Sequence, residues 1–127
     1  MPPLGKHSFV LAVITHYRCE QWLAQCLESI VAQTHGPNGI VVVDDGSEHP
    51  PLEILSKFPQ ATLLRASENV GLFRLCQQLA VHTAYDAFMF QDADDWSAPE
   101  RLSVLLMEAE RTGAEMVGCQ GSFLRRA

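Results

Sequence analysis

The sequence predicts an α/β protein in which helices cover both faces of a mostly parallel sheet, a three-layer α/β/α arrangement. Apolar stretches rich in β-branched residues alternate with stretches whose apolar residues recur at helical spacing. One of these stretches, GIVVVDDGS, is apolar without alternation until its two acids, as in a strand buried on both faces. We therefore expect the order β-α-β-α-β-α-β-α-β with short loops and right-handed crossovers.

The first half of the chain supplies two strands and two helices. A strand is expected at residues 9–14, and an amphipathic helix follows within residues 19–34. The second strand lies in residues 39–47 and ends in acids and a turn. A short helix is expected at residues 52–58, because the sequence His-Pro-Pro just before it suits a helix start.

The second half repeats the alternation. A third strand is expected at residues 61–66, and a helix within residues 69–84 is entered through a turn at Gly71. Residues 86–90 form the fourth strand, and residues 114–124 are a candidate fifth strand.

Between those last two strands, residues 97–113 predict a helix with clear end signals. Ser97 is its candidate N-cap, Pro99 lies in its first turn and Gly113 ends it. The residues expected on its buried face are Leu102, Leu105, Leu106 and Ala109.

Length and composition point to one globular domain, residues 1–127, with a well-supplied core. The chain is 47% hydrophobic and 19% charged. Its net charge of −6, without a long block of lysine or arginine, argues against a nucleic-acid groove or a membrane-surface patch. No stretch approaches the roughly 20 apolar residues of a transmembrane helix, and FVLAVI suits a strand better than a signal peptide.

The four cysteines lack metal-ligand spacing and are expected to be buried free thiols in a reducing compartment. We therefore expect a cytoplasmic location.

Polar residues follow three of the predicted strands: THYR after the first, DDGS after the second and QDADD after the fourth. In open parallel sheets, ligands bind beyond the carboxyl ends of the strands, where the strand order reverses. If the first strand lies between the second and the fourth, all three groups meet in one crevice.

Each of these groups also has a purely structural explanation. Asp44 and Asp45 are acids in a position to hydrogen-bond their own loop or cap the next helix. The turn at Asn69 and Gly71 is either loop punctuation or a place where the backbone approaches a ligand closely. His16 is expected to be an ordinary loop histidine.

The acids Asp92, Asp94 and Asp95 could similarly form a solvated turn before a helix, whose dipole favours negative charge. Three acids in four residues after a buried strand favour a hard divalent cation instead. Mg²⁺ or Mn²⁺ takes one or two protein carboxylates and completes its shell with water and phosphate oxygens, so an Asp-x-Asp element suits a metal-diphosphate complex.

In order along the chain, VITHYR, ESIVAQT, IVVVDDGS, NVG and QDADDW with PERL resemble the N-terminal half of family 2 glycosyltransferases with the GT-A fold. The resemblance runs from about residue 9 to residue 106 and covers most of the chain. It implies a Rossmann-like nucleotide-binding half that binds a nucleotide-sugar donor. It also implies inverting transfer of the sugar to an acceptor hydroxyl, on a saccharide or a lipid-linked glycan.

For the donor, the resemblance implies that Thr15 and Tyr17 lie near the base. Asp45 would read a base edge with Asp44 beside it, and the turn from Asn69 to Gly71 would lie close to the nucleotide. For the cation, it implies that Asp92 and Asp94 form the Asp-x-Asp element, with Asp94 as the direct ligand of Mg²⁺ or Mn²⁺.

The sequence departs from the family pattern in three places. Arg18 stands where asparagine is usual, and FRLCQQ replaces a helix start that contains Arg-Asn, although Arg74 could offer a cation near the phosphates. No acid follows Glu115, so the catalytic base is expected to be missing from this chain.

Two classes of function other than a transferase also suit acids at the ends of parallel strands. A non-catalytic nucleotide- or metal-binding regulatory module would use the same crevice. A receiver-like phosphoacceptor domain is disfavoured, because no aspartate follows the third strand in ATLLRASEN. An unfinished sheet edge would favour a homo-oligomer, and the protein could also lie peripheral to the inner face of the membrane.

Overall fold

The computed structural model describes residues 3–66, 68 and 70–118. Within them, four parallel strands form one sheet in the order β3-β2-β1-β4, which confirms the predicted α/β class. The strands are β1 (Val10–His16), β2 (Gly39–Asp44), β3 (Ala61–Arg65) and β4 (Ala87–Asp92). The helices are α1 (Glu20–Val31), α2 (Leu52–Leu55), α3 (Leu72–His82) and α4 (Arg101–Thr112).

Strand β1 is central and buried on both faces, which explains its unbroken run of apolar residues. Because side chains alternate along a strand, Val10, Ala12 and Ile14 face one layer of helices while Leu11 and Val13 face the other. The core on the first side also contains residues of α1, β4 and α4: Leu23, Cys26, Leu27, Ile30, Met89, Leu102 and Leu106. The second is built from the other face of β2 and from α3: Val41, Val43 and Leu75.

The start of α4 differs from the prediction. The helix begins at Arg101, and its N-cap residue Glu100 makes no side-chain cap bond, so the assignment of Ser97 as N-cap is wrong. The Ser97 hydroxyl donates instead to the side-chain oxygen of buried Gln91. Gln91 has therefore taken the Ser97 hydroxyl that was expected to cap the helix. Pro99 precedes the helix rather than lying in its first turn.

The end of α4 agrees with the prediction. Gly113 adopts a left-handed backbone with φ of 70°, and its N–H donates to the Ala109 carbonyl at 2.8 Å. On the predicted buried face, Leu102, Leu106 and Ala109 are buried and Leu105 is half-buried.

Helix α2 and the candidate fifth strand differ from the prediction. Helix α2 spans Leu52–Leu55 rather than residues 52–58. Residues 114–118 of the candidate fifth strand are not in a strand, and residues 119–124 lie outside the described part of the chain. No helix in the described residues is both long and apolar enough to cross a membrane.

Candidate functional site

Three loops meet at the carboxyl edge of the sheet, because β1 lies between β2 and β4. In the strand register, His16 pairs with Asp44 and Thr15 pairs with Asp92. The pairing continues past the strand ends, since the Asp45 N–H donates to the His16 carbonyl at 3.2 Å and the Ala93 N–H donates to the Thr15 carbonyl at 2.9 Å. The polar groups that follow three strands in the sequence thus lie side by side at one edge of the sheet, and we call the place where they meet the crevice.

Thr15 and Asp92 are joined by a side-chain hydrogen bond across β1 and β4. The Thr15 hydroxyl donates to Asp92 Oδ1 at 2.8 Å. This bond fixes one carboxylate oxygen of Asp92. Because the side chain is exposed, its other oxygen, Oδ2, remains available to a ligand. Thr15, for which the family resemblance implies a position near the base, therefore lies against the acidic residues that follow β4.

We call residues 92–95 the acidic turn. The Asp95 N–H donates to the Asp92 carbonyl at 3.1 Å, which closes the turn. Ala93 is fully buried in the core, whereas Asp92, Asp94 and Asp95 are exposed. A buried small residue therefore anchors the turn and leaves its three acids at the surface.

The oxygen ligands of the acidic turn fit a cation that keeps open positions. Among the described residues, no group of three or more His, Cys, Asp or Glu side chains is arranged to hold a metal ion. Asp92 and Asp94 nevertheless offer exposed carboxylates of the kind that Mg²⁺ or Mn²⁺ takes when phosphate and water complete its shell. The residues present do not fit a closed structural metal centre, but they fit this open one.

Asp44 is enclosed by donors. Its side chain is fully buried. Oδ1 lies 2.8 Å from His16 Nδ1 and accepts from the Ser47 hydroxyl at 2.6 Å, while Oδ2 accepts from the Ser47 N–H at 3.1 Å. The Arg65 Nε lies 3.6 Å from Oδ2. A buried carboxylate needs such partners, and they place Asp44 in the framework beneath the crevice.

His16 is the functional-site residue that sequence reasoning misjudged. It is the last residue of β1 and is fully buried, so the expectation of an ordinary loop histidine is wrong. Its Nε2 accepts from the Cys19 N–H at 3.3 Å, which leaves Nδ1 as the protonated nitrogen that donates to Asp44. His16 therefore ties the loop after β1 to the end of β2.

Asp45 is also buried but contacts a different segment. Its Oδ1 accepts from the N–H groups of Val70 and Gly71 at 2.9 and 3.1 Å, and Oδ2 lies 3.1 Å from the Gly71 nitrogen. Gly71 has φ of 96°, a conformation that favours glycine. Asn69 lies outside the described residues, and Arg74 is exposed in the first turn of α3.

The loop after β1 has an unusual backbone. Arg18 has φ of 56°, in the left-handed region that asparagine tolerates better than most residues. This conformation gives a physical reason for the asparagine of the family pattern. The Arg18 guanidinium carbon lies 5.1 Å from the ring centroid of half-buried Tyr17, within cation-π range.

A protonated thiol lies below the acidic turn. Burial raises the pKa of Cys26 to about 12, and the charges of Asp95, Asp92 and Asp94 add to that effect. The thiol donates to the Asp92 carbonyl, with sulfur and oxygen 3.7 Å apart. The described cysteines Cys19, Cys26 and Cys76 are free, as expected, but Cys19 and Cys76 are half-buried rather than buried.

The fold is that of an α/β protein in which polar groups meet at the carboxyl edge of a parallel sheet, the edge at which such folds bind ligands. The family model described as "Glycosyl transferase family 2" matches residues 11–123. The chain belongs to this family and is a glycosyltransferase domain.

Relatives of the chain are glycosyltransferases by name. An uncharacterized glycosyltransferase of Haemophilus influenzae is 36% identical over 86 residues, which cover 64% of this chain and 32% of that protein. Glycosyltransferase GlyA of Streptococcus pneumoniae is 30% identical over 118 residues, covering 90% of this chain and 17% of GlyA. The chain thus spans about a third or less of the length of these relatives.

Solved structures share the fold. TarS 1–349 of S. aureus superposes with a TM-score of 0.72 at 20% identity, covering 92% of this chain and 38% of TarS. Mannosyltransferase PcManGT of Pyrobaculum calidifontis, solved in complex with GDP-Man and Mn²⁺, gives a TM-score of 0.67 at 20% identity. That match covers 81% of this chain and 34% of PcManGT.

Proposed function

We propose that this chain binds the nucleotide-diphosphate part of a sugar donor through a divalent cation, for inverting transfer of the sugar to an acceptor hydroxyl. The observation that carries the proposal is the exposed acidic turn, whose Asp92 carboxylate is oriented by Thr15 at the carboxyl edge of the sheet. The PcManGT structure with GDP-Man and Mn²⁺, and a TarS structure with UDP, support this choice of ligand class.

Asp92 and Asp94 would hold the cation, with Asp94 as the direct ligand. When bound, Mg²⁺ or Mn²⁺ supplies positive charge that stabilises a leaving diphosphate. The two carboxylates are the hard oxygen ligands that either cation accepts. Arg74, exposed in the first turn of α3, would add a positive charge for the phosphates.

The nucleoside would lie on the other side of the crevice. Tyr17 follows β1, and Asp45 follows β2 and accepts a bond from the Gly71 N–H. In the proposal, Tyr17 and Asp45 contact the base. Asp44 acts indirectly, because its oxygens are held by His16 and Ser47.

Donor binding is the role proposed for this chain, and none of its own acids is proposed as the catalytic base. The single domain of residues 1–127, the cytoplasmic or membrane-peripheral location, the homo-oligomer and the nature of the acceptor stay predictions.

Calorimetric titration with UDP or GDP, with and without Mn²⁺ or Mg²⁺, tests the proposal. Asp94→Asn should lower metal-dependent nucleotide affinity by at least about tenfold and leave metal-free affinity nearly unchanged. Asp95→Asn is the matched control, because it removes an equal charge from the same turn and should have a smaller effect. Absence of binding by the parent in every condition would overturn the donor site, and equal metal-dependent binding by Asp94→Asn would remove Asp94 as a ligand.

A further inference from the structure

The acidic turn rests on a buried polar network that its proposed ligands do not use. We call Gln91, Ser97 and Arg101 the turn clamp. Gln91 and Ser97 are each 8% exposed. The Gln91 amide donates to the Asp95 carbonyl at 3.0 Å, so the last residue of the turn is bonded to a side chain from β4.

Arg101 braces Gln91 from α4. Its Nη1 donates to Gln91 Oε1 at 2.9 Å and lies 3.2 Å from the Ser97 hydroxyl, while its Nη2 donates to the Phe90 carbonyl at 3.1 Å. The planar guanidinium therefore contacts the strand before the turn and the segment after it at once. A lysine could keep the charge but not this set of bonds.

The segment after the turn is also joined to α1. The Ser97 N–H donates to the Ser29 hydroxyl at 3.0 Å. Gln33, which lies two residues after α1 and is 7% exposed, donates to the Ala98 carbonyl at 2.7 Å and accepts from the Leu102 N–H at 2.9 Å. Helices on one face of the sheet thus fix both ends of the turn.

This arrangement opposes the repulsion within the turn. Three carboxylates in four residues favour conformations that separate their charges. A change in the turn backbone that broke the Gln91 bonds would leave buried donors and acceptors unpaired, which is unfavourable. The clamp therefore favours one conformation of the turn before any cation binds.

We propose that Gln91 and Arg101 are positioning residues that hold the acidic turn in the geometry in which Asp92 and Asp94 bind a divalent cation. The role rests on the proposed function of the turn. Neither side chain contacts the cation in this proposal. Their effect is on the orientation of the carboxylates.

The test uses Gln91→Met, which keeps side-chain length but removes both hydrogen-bonding groups, and Arg101→Lys, which keeps the charge. Hydrogen exchange at the amides of residues 93–97 in the metal-free protein should become faster in both variants. Affinity for UDP or GDP in Mn²⁺ should fall about tenfold or more, as is typical when a partner of a metal ligand is removed. Metal-free nucleotide affinity should change less than about twofold, because the nucleoside contacts are elsewhere.

Leu106→Ala is the control for general loss of stability. Leu106 is a core residue of α4 that is 4% exposed, and it is not part of the clamp. The variant should be less stable, yet at temperatures where it is folded it should keep the metal-dependent affinity.

An equal loss of metal-dependent affinity in Leu106→Ala, or unchanged affinity in Gln91→Met, would overturn the role of the clamp. Failure of the parent itself to bind nucleotide with Mn²⁺ would instead overturn the proposed function, and this role with it.

Discussion

At the scale of single residues, burial and hydrogen bonding separate Asp44 from the acids of the acidic turn. Asp44 is fully buried and receives hydrogen bonds from His16 and Ser47. Asp92 and Asp94 are exposed, and the bond from Thr15 holds only one oxygen of Asp92. The buried acid therefore belongs to the framework, whereas the exposed acids are available to a ligand.

Asp44→Asn should lower the free energy of unfolding by about 2–4 kcal/mol, because an amide nitrogen would replace an oxygen that now accepts from buried donors. Urea unfolding measures the change. Asp86→Asn is the matched control: Asp86 is exposed, and its Oδ2 accepts from the Phe9 N–H at 2.7 Å. An asparagine carbonyl can accept the same bond, so the control should change stability by less than about 0.5 kcal/mol. Equal effects of the two substitutions would contradict the framework role of Asp44.

Thr15→Val should weaken metal-dependent nucleotide binding about three- to tenfold, because valine keeps the shape but cannot orient Asp92. Titration with UDP or GDP in Mn²⁺ measures it. Thr34→Val removes another hydroxyl donor, which bonds the Pro99 carbonyl at 3.3 Å, and should leave binding unchanged. If Thr15→Val binds as tightly as the parent, the Thr15 bond has no part in cation binding.

At the scale of elements, the two ends of α4 show what sequence can and cannot predict. Gly113 ends the helix through a local conformation that few other residues adopt, so its signal is in the sequence itself. Ser97 carries an equally clear local signal, but Gln91 is near in space and takes its hydroxyl. Local capping rules could not anticipate that tertiary contact.

Gly113→Ala should cost about 1 kcal/mol of stability, because alanine is strained at φ of 70° even though no atom lies within 4 Å of an added Cβ. Gly36→Ala is the matched control, because an added Cβ at Gly36 would also have no atom within 4 Å. The backbone of Gly36 is outside the left-handed region. Thermal or urea unfolding should show a loss for the first variant and little change or a small gain for the second. The same loss in both would show that backbone strain is not the cause.

At the scale of the whole molecule, the central position of β1 brings the site together. The convergence of the three polar groups could be predicted, because an alternating β-α pattern fixes a parallel sheet and the carboxyl ends of its strands share an edge. The pairing of His16 with Asp44 could not, since it depends on register and on a strand that continues two residues beyond its apolar run. The turn clamp could not be predicted from sequence for a similar reason, because the bond from Arg101 to Gln91 depends on how α4 packs against β4.

The buried thiol predicts how stability depends on pH. The pKa of Cys26 is raised to about 12 in the folded protein, so above about pH 9 the unfolded chain loses a proton that the folded state keeps. Stability should therefore fall as the pH rises above that value, with a contribution of at most about 1.4 kcal/mol per pH unit from this residue. Urea unfolding between about pH 8 and pH 10.5 should show a shallower fall for Cys26→Ala. Parallel curves for parent and variant would contradict the assignment.

In the proposed donor site, the hydrogen bonds that Asp45 accepts from the N–H groups of Val70 and Gly71 make recognition of a base an exchange of partners. A base that donates to Asp45 competes with backbone N–H groups that already satisfy the carboxylate, so the net gain in free energy is small. A base without a suitable donor gains nothing in return for disturbing those bonds. In the proposed role, Asp45 would therefore discriminate between nucleotides rather than tighten the binding of all of them.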